Sequence, residues 1–442
     1  MYDPLTSKTI PAFHEAGMAT YWQAVTPFPD SDSVALPAQA DVVVIGAGYT
    51  GLNAAATLAK EYNKQVVLLE AGSIGAGASS RNAGFLLPGT GRLGFQDYRN
   101  KYGVDVAQAV QNEFAASIAH VHEAIDHSEY HCDFTHARYL RIAHNAKAAQ
   151  LLQQQQPAYQ PTLLDAEWLT ADSLKQQIQG LPWGHGGLAL TPAAALNPRA
   201  LTAVYLEQAK AAGVSIVTGH PVTHWQALGD GTHELEAAGS TIRCQQVLVC
   251  TNGYLPAQPF ADISQRQFPV LSSILVSRPL NAVEQQMLGL TVNDLVMDTR
   301  LLKYYYRLLP DGRILFGGRG AVRGQDADSG KQRQRLERAL VQTFPQLEGL
   351  YADYFWSGWI SVALDSMPRV FSPSPGVFTS AGYCGAGVAF ASLAGKRLAQ
   401  LAAGETLPAL PFYQTPLPKY PMPQFRRVAL RGLYQWQRWF GS

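Results

Sequence analysis

The stretch Asp41–Ile45 is apolar at every position after the first, the pattern of a parallel strand buried on both faces. Gly51–Tyr62 then carries apolar residues at helical spacing, and Gln65–Leu69 is a second apolar run. Strand, helix and strand within about 30 residues are the unit of a doubly wound sheet. Before this unit, residues 1–39 read as an irregular lead-in broken by Pro27, Pro29 and Pro37. From Gly94 to Trp183 the pattern turns helical and polar, with the Gln153–Gln156 tract on an exposed helix face. Asn197-Pro198 reads as the N-cap and first residue of a helix running to about Ala212. Strand Val214–Thr218, a polar hairpin with Gly229 and Gly231, and strand Gln246–Cys250 return to the first sheet. Strand signals dominate from Phe268 to Arg319, including Ile274–Ser277 and Tyr304–Leu309, with Asp311-Gly312 as a turn. Val377–Ala381 is a strand leading into a helix to about Ala403, and the tail from Leu407 is Pro-rich, then basic and aromatic.

Two glycine-rich helix starts carry the candidate chemistry. Gly46-Ala47-Gly48-Tyr49-Thr50-Gly51 lies between the first strand and its helix. There glycine permits the tight turn and the close approach of a pyrophosphate, whose charge the helix N-terminus stabilises. Glu70 ends the second strand, where a carboxylate accepts hydrogen bonds from a ribose. The loop that follows, with Ala71, Ser79, Ser80, Arg81, Asn82, Ala83 and Gly84, is suited to wrapping an extended cofactor. The second start, Gly382-Tyr383-Cys384-Gly385-Ala386-Gly387-Val388, fits a cofactor with two ends to hold, and its N–H groups suit the charge on a reduced flavin. A nicotinamide cofactor leaves that second segment without a role.

Charge narrows the partners. The 442 residues hold 34 Lys and Arg against 33 Asp and Glu, a formal net charge of +1, so nothing calls for nucleic acid. Cys132, Cys244, Cys250 and Cys384 form no C-x-x-C pair and fit a reduced, cytoplasmic chain. The Met1-Tyr2-Asp3-Pro4 start lacks a secretory pattern, and no apolar run approaches the roughly 20 residues that span a bilayer. His120, His122, His127, His131 and His136 crowd one region, with His127 and His131 four apart. Without a carboxylate pattern they read as exposed or hydrogen-bonded, and no metal is expected.

Ala40–Glu70, Ile74–Gly84, Tyr304–Gly318, Phe344–Leu347, Trp356–Gly358, Gly382–Gly395 and Leu417–Phe440 together resemble the D-amino-acid-oxidase-like (glycine/sarcosine oxidase) superfamily. Within it they are most similar to the γ-glutamylputrescine oxidase branch. The resemblance covers nearly the whole chain. It implies FAD, an α/β fold with a discontinuous Rossmann-type FAD-binding domain, and an antiparallel-sheet substrate domain (α+β). Segments 1–93, 185–255 and 355–406 are assigned to the first domain, 94–184 and 256–354 to the second, and 407–442 to a tail with a basic amphipathic helix. It also implies cofactor contacts at Val222, Thr251 and Gly253.

Three departures shape the expectation. Asn82 stands where covalent-flavin members carry His, and no Cys lies around Gly358, which implies noncovalent FAD. Gly385-Ala386-Gly387-Val388 replaces a G-H-G-V motif. Ile360 occupies the position of a carboxylate-binding Arg, which turns the expectation from a simple α-amino acid to a small primary or secondary amine such as a γ-glutamylated polyamine. The implied reaction is hydride transfer from the carbon beside a neutral amine to the flavin, then imine hydrolysis, with oxygen or a quinone as acceptor. The alternative is an amino-acid oxidase or dehydrogenase of the same superfamily, acting on a cyclic or secondary amino acid and feeding a membrane quinone. Arg307 and Arg319 are candidates for an anionic substrate group or for salt bridges, and Tyr305 or Tyr306 for lining the site. Arg426, Arg427, Arg431 and Arg438 with Trp436, Trp439 and Phe440 suit docking on the protein itself or peripherally on the inner face of a membrane.

Overall fold

The computed structural model describes residues 1–7, 10–11, 19–29, 33–89, 92–160 and 162–440, with side chains to residue 436. Among them two sheets form. The first runs Arg369–Ser374, Val377–Ala381, Ser240–Val249, Gln39–Ile45, Val66–Leu69 and Ser215–Val217, with the hairpin Val222–Ala227 and His233–Ala237 attached to Ser240–Val249. Its central pairs are parallel, Val44 lying between Leu248 and Leu68. Helices Tyr49–Tyr62 and Gly387–Ala402 pack on each other beside it. This burial on both faces explains why Val42, Val43 and Val44 are all apolar.

The second sheet runs Ala352–Val362, Phe268–Ser277, Ile314–Arg319, Tyr305–Leu308, Asp294–Asp298, Thr135–Ile142, Gly187–Ala195 and Phe85–Leu86, with Asp165–Leu169 on Gly187–Ala195. It is antiparallel except for one parallel pair, Asp294–Asp298 with Thr135–Ile142. The chain therefore builds the expected α/β architecture of a Rossmann-type sheet joined to an α+β unit. Crossings between the sheets fall inside 1–93, 185–255 and 355–406, because Phe85–Leu86, Gly187–Ala195 and Ala352–Val362 all pair in the second sheet.

Six strands lie where none is expected: Phe85–Leu86, Thr135–Ile142, Asp165–Leu169, Gly187–Ala195, Ala352–Val362 and Arg369–Ser374. The lead-in likewise contains a short helix, Tyr21–Val25, capped by Thr20. In the tail, helix Arg426–Phe440 packs Leu430 and Tyr434 against Phe268, Val270, Val322 and Ile360. Arg426 donates to the carbonyls of Pro423 and Ser264, and Arg427 pairs with Asp3. Val428 and Trp436 are exposed, and the side chains of Arg438, Trp439 and Phe440 lie outside the described residues. No described helix is long and apolar enough to cross a membrane.

Candidate active site

The first cavity opens where the strand Gln39–Ile45 ends. Gly46 has φ +103°, and a β-carbon at Gly51 would stand 1.9 Å from the Gly46 carbonyl oxygen, so the turn and the helix close only with glycine at 51. Ser79 Oγ accepts from the Tyr49 N–H at 3.0 Å, leaving later N–H groups of the first turn for an anion. Glu70 accepts from the N–H of Ala47 at 2.8 Å and of Gly72 at 3.0 Å. Burial pushes its carboxyl above the usual range while the N–H groups of Gly72, Ala47 and Ala71 pull it back. Glu70 thus ties the turn to the loop besides offering lone pairs to a ribose. Gly46, Gly48, Tyr49, Thr50, Glu70, Ala71, Ser79, Asn82, Val222, Thr251, Tyr383, Gly385, Gly387 and Val388 all line this cavity.

A second cavity adjoins it, the two sharing Ala78, Asn82, Ile360, Gly385 and Val388. Arg81, Ala83 and Ala386 line the second, which lies under the N-terminus of helix Gly387–Ala402. Asn82 holds the wall in shape: its Nδ2 donates to the carbonyls of Ala78 and Ser79, and its Oδ1 accepts from Gly84 N–H at 2.8 Å. Arg81 Nε donates to the Ser357 carbonyl at 2.8 Å. Tyr305 places its ring against Gly317, where a β-carbon would come within 2.1 Å, and its hydroxyl bonds Ser272 Oγ at 2.9 Å. Arg319 lines the cavity with Arg92 and Lys303. Burial, then Arg141, Arg92 and Arg319, pull Lys303 down to about 8.

Several expected residues lie elsewhere. Tyr306 faces the opposite side of its strand, stacked on Phe316 at 5.6 Å in the hydrophobic core, as alternation across a strand requires once Tyr305 faces the cavity. Arg307 is buried away from both cavities, donating to the Leu196 carbonyl at 2.8 Å with its guanidinium over Trp22. Gly51, Ser80, Gly84, Gly253 and Gly382 line neither cavity. Ser80 bonds Thr202 at 3.1 Å, while the glycines permit close packing: a β-carbon at Gly84 would meet the Leu196 carbonyl at 1.9 Å and one at Gly253 the Ile360 backbone at 2.9 Å. Residues not foreseen include Asn252, Arg92, Ser272, Lys303 and Trp359. Lys303 directly precedes the tyrosine run and Asn252 follows Thr251, so adjacency was their available signal.

The cavities fit the expected cofactor. Thr251 Oγ1 and Asn252 Oδ1 are buried without a partner among the described residues, and both residues line the first cavity, as a polar ligand there would need. The glycine turn, Glu70 and two helix N-termini converge on the same joined space.

Comparisons agree with this geometry. The family model described as DAO, FAD dependent oxidoreductase, matches residues 41–401. The chain is 30% identical over 371 residues to the probable oxidoreductase OrdL of Haemophilus influenzae, covering 83% of each. It is also 30% identical over 394 residues to the gamma-glutamylputrescine oxidoreductase of Escherichia coli, covering 88% of this chain and 89% of that protein. Glycine oxidase from Geobacillus kaustophilus shares the fold at a TM-score of 0.72 and 20% identity, over 86% of this chain and 99% of its own.

Proposed function

Because this chain belongs to the DAO family of FAD dependent oxidoreductases, we propose that it oxidises the C–N bond of a small primary or secondary amine carrying a remote carboxylate, a γ-glutamylputrescine-like molecule. The observation carrying this reading is the charge of the second cavity: Arg81, Arg92, Lys303 and Arg319 line it, and no carboxylate does among the described residues. The similarity to the gamma-glutamylputrescine oxidoreductase supports the same substrate class.

FAD, the cofactor of this family, supplies an acceptor for hydride from the carbon beside the amine. The protein's groups do the rest. In the first cavity the Gly46–Gly51 turn and the helix N-terminus would hold the pyrophosphate charge, and Glu70 would accept hydrogen bonds from the ribose hydroxyls. In the second, clustered cations disfavour an ammonium, so the amine binds with its lone pair free. Lys303 Nζ, neutral above about pH 8, accepts the proton that the amine sheds. Ile360 and Trp359 present apolar surface beside the junction and keep water from the reacting carbon. The N-terminus of helix Gly387–Ala402 stabilises negative charge at that junction. The imine product then hydrolyses, and oxygen or a quinone takes up the electrons.

The test is anaerobic bleaching of the flavin by a panel of amines, followed by reoxidation with oxygen or a soluble quinone. Rapid bleaching by γ-glutamylputrescine, with glycine, sarcosine and D-alanine slow, is expected. The reverse order sinks the reading.

A further inference from the structure

Tyr434 is 8% exposed, yet its hydroxyl has no hydrogen-bond partner among the described residues. A buried hydroxyl left unsatisfied is costly, and a ligand offering an acceptor would satisfy it. Its surroundings say which kind. The ring packs with Leu430 on Val270, and Ile360, Val322 and Leu302 flank the same cluster. Ile360 in turn lines both cavities. Burial raises the Tyr434 hydroxyl, and Arg319, Arg335 and Arg92 pull it back. In the sheet beneath the ring Val270 pairs with Ile360 and, two residues on, Ser272 pairs with Arg319, which sets Tyr434 beside the strand position of Arg319. Of the three arginines, Arg319 and Arg92 line the second cavity, Arg319 with no carboxylate beside it among the described residues.

A hydroxyl donor and a guanidinium fork that share no acceptor among the described residues are complementary to a carboxylate, which offers about four lone-pair sites. We propose that the tail helix Arg426–Phe440 is part of the substrate site, and that Tyr434 and Arg319 together bind the remote carboxylate of the substrate. This deepens the reading of an extended anionic amine and rests on it. It also gives the tail a role: Arg426 on the Ser264 carbonyl and Arg427 on Asp3 clamp the helix so that Tyr434 stays seated over Ile360.

The experiment titrates glutarate, a dicarboxylate with no amine to oxidise, into the holoenzyme by calorimetry, so binding is read without turnover. Saturable binding is expected, weakened about tenfold by Tyr434→Phe and at least as much by Arg319→Ala, as for hydrogen bonds to a charged group. Glutaramide, uncharged, should respond to neither substitution. Tyr434→Phe keeps the packing ring, so its melting temperature should match the parent's. Where γ-glutamylputrescine bleaches the flavin, Tyr434→Phe should raise its KM about tenfold with kcat little changed. Glutarate binding unchanged in Tyr434→Phe overturns the proposal, as does its absence from the parent enzyme. Failure of γ-glutamylputrescine to bleach the flavin while glutarate binding still depends on Tyr434 would instead remove the substrate assignment and leave the carboxylate site standing.

Discussion

Gly395 lies directly on Thr50: a β-carbon at position 395 would stand 2.4 Å from the Thr50 carbonyl oxygen and 2.7 Å from Asn53 Cβ. This contact brings the two glycine-started helices together. Thr50 Oγ1 donates to the Ala391 carbonyl at 3.0 Å and lies 2.8 Å from the Tyr383 hydroxyl. The spacing between the two halves of the cofactor cavity is therefore set by one missing side chain. Backbone lies on one side of the contact, so little can yield. Gly395→Ala should cost about 1–3 kcal/mol of stability, the usual range for overpacking. It should also release FAD at lower temperature, checked by flavin fluorescence during thermal melting. An unchanged melt would mean that the helices slide apart freely.

Glu70 has two tasks, and its replacement should show both. Glu70→Ala should weaken FAD binding by about 1.5–3 kcal/mol, as for hydrogen bonds to a charged group. It should also loosen the segment after Gly72, since the Ala47 and Gly72 N–H groups lose their acceptor. Calorimetry on the apoprotein measures the first effect and hydrogen exchange of residues 71–77 the second. Unchanged affinity would assign the ribose to other groups.

The flavin should leave with acid or heat, and the precipitated polypeptide should be colourless. At position 82 the side chain is an amide whose nitrogen is engaged with the Ala78 and Ser79 carbonyls, and the second cavity presents Gly358 rather than a thiol there. Cys384 does line that cavity, but burial raises its thiol and disfavours the nucleophilic thiolate. Yellow precipitate would show a covalent link.

Legibility followed the physical origin of each element. The strand Gln39–Ile45 was readable because burial demands an apolar run, Val42 to Ile45, and the helix after Asn197 because its side chain accepts from Arg199 and Ala200 N–H. Gly187–Ala195 was not, since alanines and Pro192 have weak strand preference and its pairing with Thr135–Ile142 supplies the order. Thr135–Ile142 was masked by the helical, histidine-rich stretch before it. In that stretch His120 bonds Asn53 at 2.9 Å and His127 the Glu123 carbonyl at 2.8 Å. The cofactor turn was legible because its glycines are contiguous. The cationic chamber was not, because Arg81 and Arg92 come from one part of the chain and Lys303 and Arg319 from another more than 200 residues on, and only the fold brings them together. Tyr305 and Tyr306 needed the register of their strand before one could be chosen.

Lys303 predicts a pH dependence. Its folded-state value, about 8, lies below its ordinary 10.5. Flavin reduction by the amine should therefore rise as pH passes through about 8, and Lys303→Met should remove that limb. Stability has the same sign: between about 8 and 10.5 the unfolded chain holds a proton that the folded one has shed. This group's contribution thus improves as pH rises through that window. Melting temperatures of parent and Lys303→Met across the window should converge toward its upper end. A constant difference would mean that Lys303 titrates at its ordinary value.

Substrate choice rests on Ile360 and Arg319 rather than on Arg307. Ile360 is partly buried at the junction of the two cavities, with its Cδ1 3.3 Å from where a β-carbon of Gly385 would stand. A glycine- or alanine-sized substrate must put its carboxylate beside the reacting carbon, and an unpaired charge on that apolar surface costs several kcal/mol. An amine whose carboxylate lies several bonds away avoids this cost and brings the charge to Arg319. Arg319→Ala should thus raise KM for γ-glutamylputrescine about tenfold or more, with little effect on a neutral N-acylated analogue of the same length. Arg307→Ala should behave otherwise. Arg307 is 3% exposed, its guanidinium bonded to the Leu196 carbonyl, and it lines neither cavity. Its loss should lower the melting temperature while the ratio of KM values for the anionic and neutral amines stays at the parent's. Steady-state kinetics on the two variants with both amines decides it. A shift of that ratio in Arg307→Ala, with none in Arg319→Ala, would move the carboxylate to the other side of the sheet's edge and overturn the assignment.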